Sequence, residues 1–178
     1  MILSEDFFTR DAITVAHDLV GMFLCRRLSD GSIIHARICE LELYMQNERG
    51  CHAFGGRKTE RNSAMFLPGG HTYIYLCYGM YNMLNIVVDK ENFAASVLIR
   101  ALEYDGCDGP GKLTKKLDIN TKQNGIKLGM QNNLWIESAD TKPIILSGPR
   151  IGIDFAGQDA ILPYRFAIKD SLYISKPI

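Results

Sequence analysis

Apolar positions recur in two rhythms along the chain, and the change between them marks out the elements. Between residues 9 and 20, Ile13, Ala16, Leu19 and Val20 fall on one stripe. That spacing predicts a helix, with Thr9 able to cap its start and Gly21 to end it. From residue 23 the rhythm shortens toward two, and residues 23–28 and 33–44 read as paired strands around an SDG turn at 29–31. In the second strand Ile34, Ala36 and Ile38 are expected to share a face with Glu40, Glu42 and Tyr44, because strand side chains repeat every two residues. A face that begins apolar and ends in two carboxylates and a phenol does more than pack, since an unpaired buried carboxylate is costly.

Residues 46–62 form a polar, glycine-containing loop that carries Arg49, Cys51, His52, Arg57, Lys58 and Arg61. A short helical turn at 62–66 and an LPGG turn at 67–70 follow, then strands near 72–77, 83–88 and 95–102. Residues 110–117 predict a short basic helix with Pro110 in its first turn. Further strands are expected near 134–137, 143–146 and 164–169, with RIGID at 150–154 between the last two. Hairpin-spaced strands with few helices predict an α+β domain built on antiparallel sheet.

Composition narrows the function. A chain of 178 residues suits one domain, or at most one domain with an appendage, and 47% hydrophobic content excludes disorder. The 20 Lys and Arg balance 20 Asp and Glu, which excludes a protein that coats DNA wholesale by displacing counterions. The balance is uneven along the chain, however. Residues 1–48 carry 4 basic and 8 acidic side chains, whereas residues 49–127 carry 11 and 7. A solvated surface would account for that bias equally well, so charge alone decides nothing. The 5 cysteines include no CxxC pair, which argues for reduced thiols and against a disulfide framework or zinc ribbon. The opening MILSEDFF lacks the basic region of a secretory signal. Residues 72–88 are uncharged but hold four tyrosines and fall short of the about 20 apolar residues of a membrane span. A buried strand pair is the better reading.

Four constellations could carry chemistry. The GxxxxGK stretch at 106–112 lacks the Ser or Thr that a phosphate-binding loop needs after its lysine, having Leu113 there, and it lies among the acids Glu103, Asp105 and Asp108. The four histidines make no HExxH pattern, and adjacent Cys51 and His52 suit neither one metal nor a nucleophile–base pair; no metal is expected. The fourth is Glu42 at the end of its strand, together with Tyr44, Tyr73, Tyr75, Tyr78 and Tyr81. A carboxylate can orient and deprotonate water, and tyrosine faces beside basic segments suit a stacked nucleobase. Tyrosines at strand spacing are by default core or sheet-surface residues, so this pattern alone does not establish a pocket.

The blocks ARICELELYM, CHAFGGRKTERNSAMFLPGGHTYIYLCYGMYNMLNIV, VLIRALE, GPGKL, GPRIGI and PYRF occur in this order over nearly the whole chain. Together they resemble the alkyladenine (3-methyladenine) DNA glycosylase family. The resemblance implies one compact domain, residues 1–178, around a curved, mainly antiparallel sheet with flanking short helices. It implies excision of alkylated purines from double-stranded DNA after base flipping, with no cofactor, no membrane association and a monomeric state. Such a protein would work in a bacterial-type cytoplasm at the nucleoid, or in a nucleus.

Carried over residue by residue, the resemblance makes Glu42 the catalytic base and Arg100 the arginine that positions water. Tyr44, His52 and Tyr75 would line the base pocket, Asn85 would screen purines and Tyr78 would intercalate. Arg57, Lys58, Arg61 and Lys112 would meet the DNA backbone. No lysine falls on a Schiff-base position, which implies a monofunctional hydrolase. The chain departs from the family pattern at Leu41 and Leu43 beside the glutamate, at Glu60 in place of a proline, and at Pro163–Tyr164 in place of proline–tryptophan. Lesion range stays open at this point. Two rival readings also stand: a catalytically idle module that binds damaged DNA, and a nucleotide enzyme using the GxxxxGK turn.

Overall fold

Two short helices precede the sheet in the computed structural model, which describes residues 1–178. They are α1 (Glu5–Phe8) and α2 (Ala12–Leu19). The cap of α2 is Asp11, whose carboxylate accepts from the Thr14 amide at 2.9 Å. Thr9 instead turns its hydroxyl back onto the Glu5 carbonyl at 3.3 Å and closes α1. The helix therefore starts later than the expected residue 9. Its buried stripe is Ala12, Val15, Ala16 and Leu19, and Ile13 is left exposed, correcting the expected phase. Gly21 does end the segment, with φ at 92°.

The strands are β1 (Phe23–Arg27), β2 (Ile33–Met45), β3 (Thr72–Cys77), β4 (Tyr81–Val87), β5 (Ala95–Glu103), β6 (Leu134–Glu137), β7 (Ile145–Gly148) and β8 (Arg165–Ile168). All pair antiparallel in one sheet ordered β3-β4-β5-β2-β1-β6, with β8 added beside β2 and β7 beside β8. A third helix, α3 (Pro110–Lys116), packs by β4 and β5. The architecture is the expected α+β one. β7 lies two residues later than the expected 143–146.

The long strand β2 determines where the site lies. It keeps β5 along one edge, but its other edge pairs with β1 up to Arg37 and with β8 at Glu40–Glu42. At this exchange of neighbours the β2–β5 ladder is irregular: Ile38 faces Leu102, Glu40 faces Ala101 and Leu41 faces Ile99. The ladder thus skips Cys39 on one strand and Arg100 on the other, as β-bulges do. The core face of β2 changes parity there. Ile34, Ala36 and Ile38 enter the main apolar core before the bulge, and Cys39, Leu41, Leu43 and Met45 enter it afterwards. The expected common face for Ile34 through Tyr44 is therefore wrong. One extra residue turns Glu40, Glu42 and Tyr44 away from the core and leaves room for leucine between the carboxylates.

A second, smaller apolar cluster (Cys51, Ala53, Ala64, Met65, Phe66 and Tyr73 among its members) lies under the basic loop and packs against Tyr44 and Tyr75. The space between the two clusters is the candidate site. No helix of the structure is long and apolar enough to cross a membrane.

Candidate active site

The cavity has a volume of about 430 Å³, within the range that holds a small ligand. Strand β2 supplies Glu42 and Tyr44, β3 supplies Tyr73 and Tyr75, β4 supplies Asn85, and β5 supplies Arg100. His52 and Arg61 come from the loop after β2, and Tyr78 from the turn between β3 and β4. Each strand contributes alternate residues, so the opposite parity remains available to the core.

Glu42 is fully buried. Three donors converge on it: the Ile151 backbone N–H on Oε1 at 2.7 Å, and the Tyr44 hydroxyl (2.8 Å) and Arg100 Nη1 (3.3 Å) on Oε2. Three such donors address an acceptor, the role a carboxylate fills, and offset its desolvation. Burial, and then the neighbouring Glu42, push the Tyr44 phenol well above its ordinary value, so it stays protonated as a donor.

Arg100 is itself held from behind. Its Nε donates to Glu40 Oε1 at 3.1 Å, and Glu40 also accepts from Arg165 Nε at 2.7 Å and from the Ser175 hydroxyl at 2.9 Å. A shared carboxylate thus fixes two buried guanidinium groups and the end of the chain. On the far side of Tyr44, the Arg150 guanidinium lies 4.7 Å from the ring centroid. That arginine makes a bidentate pair with buried Glu48 at 2.6 and 2.8 Å.

The aromatic wall is built from His52, Tyr73 and Tyr75. His52 Nδ1 lies 2.8 Å from the Tyr73 hydroxyl, and its ring meets Tyr75 edge-on with centroids 4.6 Å apart. Crowding by these neighbours, and then Arg61, hold the imidazole below its usual value, so it is neutral near pH 7. Burial pushes the Tyr75 phenol up to about 12. Asn85 is buried and donates its side-chain nitrogen to the carbonyls of Tyr73 (3.1 Å) and Met83 (3.2 Å). Its carbonyl oxygen is left without a protein donor.

At the cavity mouth, Tyr78 stands 87% exposed on a left-handed backbone, φ 50°. A tyrosine rarely accepts either condition for packing reasons. Met80 on the same turn and Phe155 across the mouth are also exposed.

Of the residues singled out from sequence, Glu42, Tyr44, His52, Arg61, Tyr75, Tyr78, Asn85 and Arg100 come together around this space. Arg57 and Lys58 lie outside it on the exposed loop, with Lys58 Nζ 5.3 Å from the Phe66 ring centroid. Lys112 lies on α3 and pairs with Asp108 at 2.9 Å. The GxxxxGK turn belongs to packing: a Cβ on Gly111 would fall 2.7 Å from the Tyr81 ring. Cys51 and His52 point apart, the thiol buried and the imidazole on Tyr73. Sequence reading missed the Ile151 amide, the Glu40 anchor and the Glu48–Arg150 pair. The GPRIGI block contains two of these residues, but nothing local in it announces a contact with Glu42.

A family model described as methylpurine-DNA glycosylase matches residues 6–172. The chain is 39% identical over 194 residues to a protein of Methanocella arvoryzae, covering 98% of this chain and 96% of that one. It is 39% identical over 192 residues to a protein of Bdellovibrio bacteriovorus, covering 99% and 100%. A protein of Carboxydothermus hydrogenoformans is 40% identical over 195 residues, with 99% and 100% covered. All three relatives carry the provisional name 3-methyladenine DNA glycosylase.

Proposed function

The chain belongs to the methylpurine-DNA glycosylase family, enzymes of DNA repair, and from that premise we propose that it hydrolyses the N-glycosidic bond of alkylated purines such as 3-methyladenine in double-stranded DNA. The observation that carries this reading is Glu42: a fully buried carboxylate, held by three donors, in an aromatic cavity sized for a base.

A duplex base is out of reach of such a cavity, so the nucleotide must first swing out of the stack, at a cost of a few kcal/mol. Tyr78, exposed on its hairpin turn, fills the gap as a wedge. The extruded purine lies against Tyr75, with Tyr44 and His52 around it. A purine alkylated at N3 or N7 is cationic while joined to its sugar, and attraction to tyrosine faces is worth about 0.5–2 kcal/mol. Neutral His52 adds no opposing charge. The unpaired Asn85 oxygen faces the base edge and discriminates between purines by what each presents there.

Glu42 accepts a proton from water as the water oxygen bonds to C1′, and the C1′–N bond pair leaves with the base. The same carboxylate stabilises the oxocarbenium-like sugar in between. Arg100 orients Glu42 and the water beside it. The cavity wall contains no lysine, which supports hydrolysis rather than a Schiff-base route. Arg57, Lys58 and Arg61 meet the phosphates, and the protein acts as a monomer wherever its DNA is housed.

Release of 3-methyladenine or 7-methylguanine from methylated duplex tests the reading. Glu42→Gln should lower release by roughly 100-fold or more; undiminished release in that variant would overturn the mechanism. Lesion binding by the wild type without release would identify a damage-recognition module instead.

A further inference from the structure

The edge of the sheet farthest from β3 carries a cluster that no motif announces. Cys25 on β1 stands opposite His35 on β2 and opposite Trp135 on β6, while Glu137 is two positions further along β6. Register alone therefore brings together side chains as far apart in sequence as Cys25 and Glu137. All four face away from the main core, which takes the alternate residues Leu24, Ile34, Ala36, Leu134 and Ile136. Cys25 is buried, yet belongs to neither apolar cluster. Its Sγ, one imidazole nitrogen of His35 and one carboxylate oxygen of Glu137 lie within 4.8 Å of one another.

We propose that Cys25, His35 and Glu137 bind a divalent transition-metal ion, zinc being the ion that best suits one sulfur, one imidazole and one carboxylate ligand. The separations fit. Zinc bonds of about 2.0–2.3 Å in a tetrahedron place nitrogen and oxygen ligands roughly 3.4 Å apart. His35 Nε2 and Glu137 Oε2 are 3.2 Å apart. The sulfur needs to close by at most about 1.3 Å, a movement that rotation about its Cα–Cβ bond supplies.

The ligands are also held in place by their neighbours, as metal ligands commonly are. The Trp135 indole N–H donates to Glu137 Oε1 at 2.7 Å and leaves Oε2 for the ion. The His35 ring stacks on Phe23 with centroids 4.3 Å apart and planes 19° from parallel. Binding turns the Cys25 thiol into a thiolate and releases its proton to solvent. The fourth position is open to water. None of these residues lines the cavity, so the ion would clamp β1, β2 and the edge strand β6 and take no part in base release.

Cobalt(II) titration of the whole chain tests the site, because cobalt replaces zinc in such sites and is coloured. The expected result is one cobalt per chain, a sulfur-to-cobalt charge-transfer band in the near ultraviolet, and displacement of both by zinc. Cys25→Ser should abolish the band, His35→Ala should weaken affinity at least 10-fold, and Trp135→Phe should weaken it roughly 10-fold by freeing Glu137. His35 is exposed, so its variant keeps the fold and serves as the control for thermal melts. Zinc should raise the melting temperature of the wild type and not that of His35→Ala. A wild type without the band, a band that survives Cys25→Ser, or equal zinc shifts in both proteins would overturn the proposal.

Discussion

The hydroxyl of Tyr44 donates to Glu42 across 2.8 Å from two positions along the same strand. Spacing by two puts both on the cavity side of β2, so the strand itself sets the geometry of the pair. Tyr44→Phe should keep the ring against Arg150 and remove only the donor. A hydrogen bond to a charged group contributes about 1.5–3 kcal/mol, so base release should fall roughly 10- to 100-fold. Single-turnover excision checks this, and a gel shift on the same lesion duplex should change little.

Glu48 and Arg150 form the support behind that ring, and both are buried. Glu48→Ala would strand a guanidinium inside the protein. The expected destabilisation is about 3–5 kcal/mol, read from urea unfolding. Replacing both residues with apolar ones should cost less than Glu48→Ala alone, because no unpaired charge is left.

His52 should give the enzyme an acid limit. Its native value lies below that of the unfolded chain, so between the two the unfolded chain binds more protons. The associated stability is complete above about pH 6.5 and is lost as pH falls through the lowered native value. Protonated His52 would also repel a cationic purine. A pH profile of 3-methyladenine release should show an acid limb that His52→Gln removes.

Alkali should act with the opposite sign. Burial raises Cys39, Cys51 and Tyr75 to about 12, so the native protein keeps protons that the unfolded chain loses. Stability from these groups is complete below about pH 8.5 and declines as pH rises toward 12. Urea midpoints measured at about pH 8 and about pH 10.5 should show the loss. Cys39→Ala combined with Cys51→Ala should reduce it.

DNA affinity should depend on salt through few contacts. Arg57, Lys58 and Arg61 are exposed, while Lys112 already pairs with Asp108. Three phosphate contacts predict a log–log salt slope of roughly −3. Lys58→Ala should reduce its steepness by about 1, and Lys112→Ala should change it less. Fluorescence anisotropy over a salt series measures both.

The strands were legible because turns punctuate them: SDG at 29–31 and LPGG at 67–70 stand between apolar runs, and the expected strands before β7 fall within two residues of those observed. Helix phase was not, because Ile13 looks like a core residue until docking on the sheet selects Ala12 and Val15 instead. Residues that line the cavity were legible through ordered blocks, which name Glu42 or Asn85 without showing their partners. The Glu40 anchor and the Cys25–His35–Glu137 cluster depend on strand register across long separations, and the Ile151 amide on the path of the loop after β7. Alternation within a strand carries no information about which partner it will meet.

The bulge at Cys39 has a consequence for how this sequence can change. β2 is written in two phases, one for the core before the bulge and the other for the core beyond it. The residue between them acts like a frameshift that the next segment depends on. A substitution at Leu41 or Leu43 alters one letter and leaves the phase of its neighbours unchanged. Loss of a single residue at 39 would rewrite every position after it, turning Glu42 toward the apolar core and the leucines toward the cavity. The residues around Glu42 can change one at a time, but their spacing from the bulge cannot.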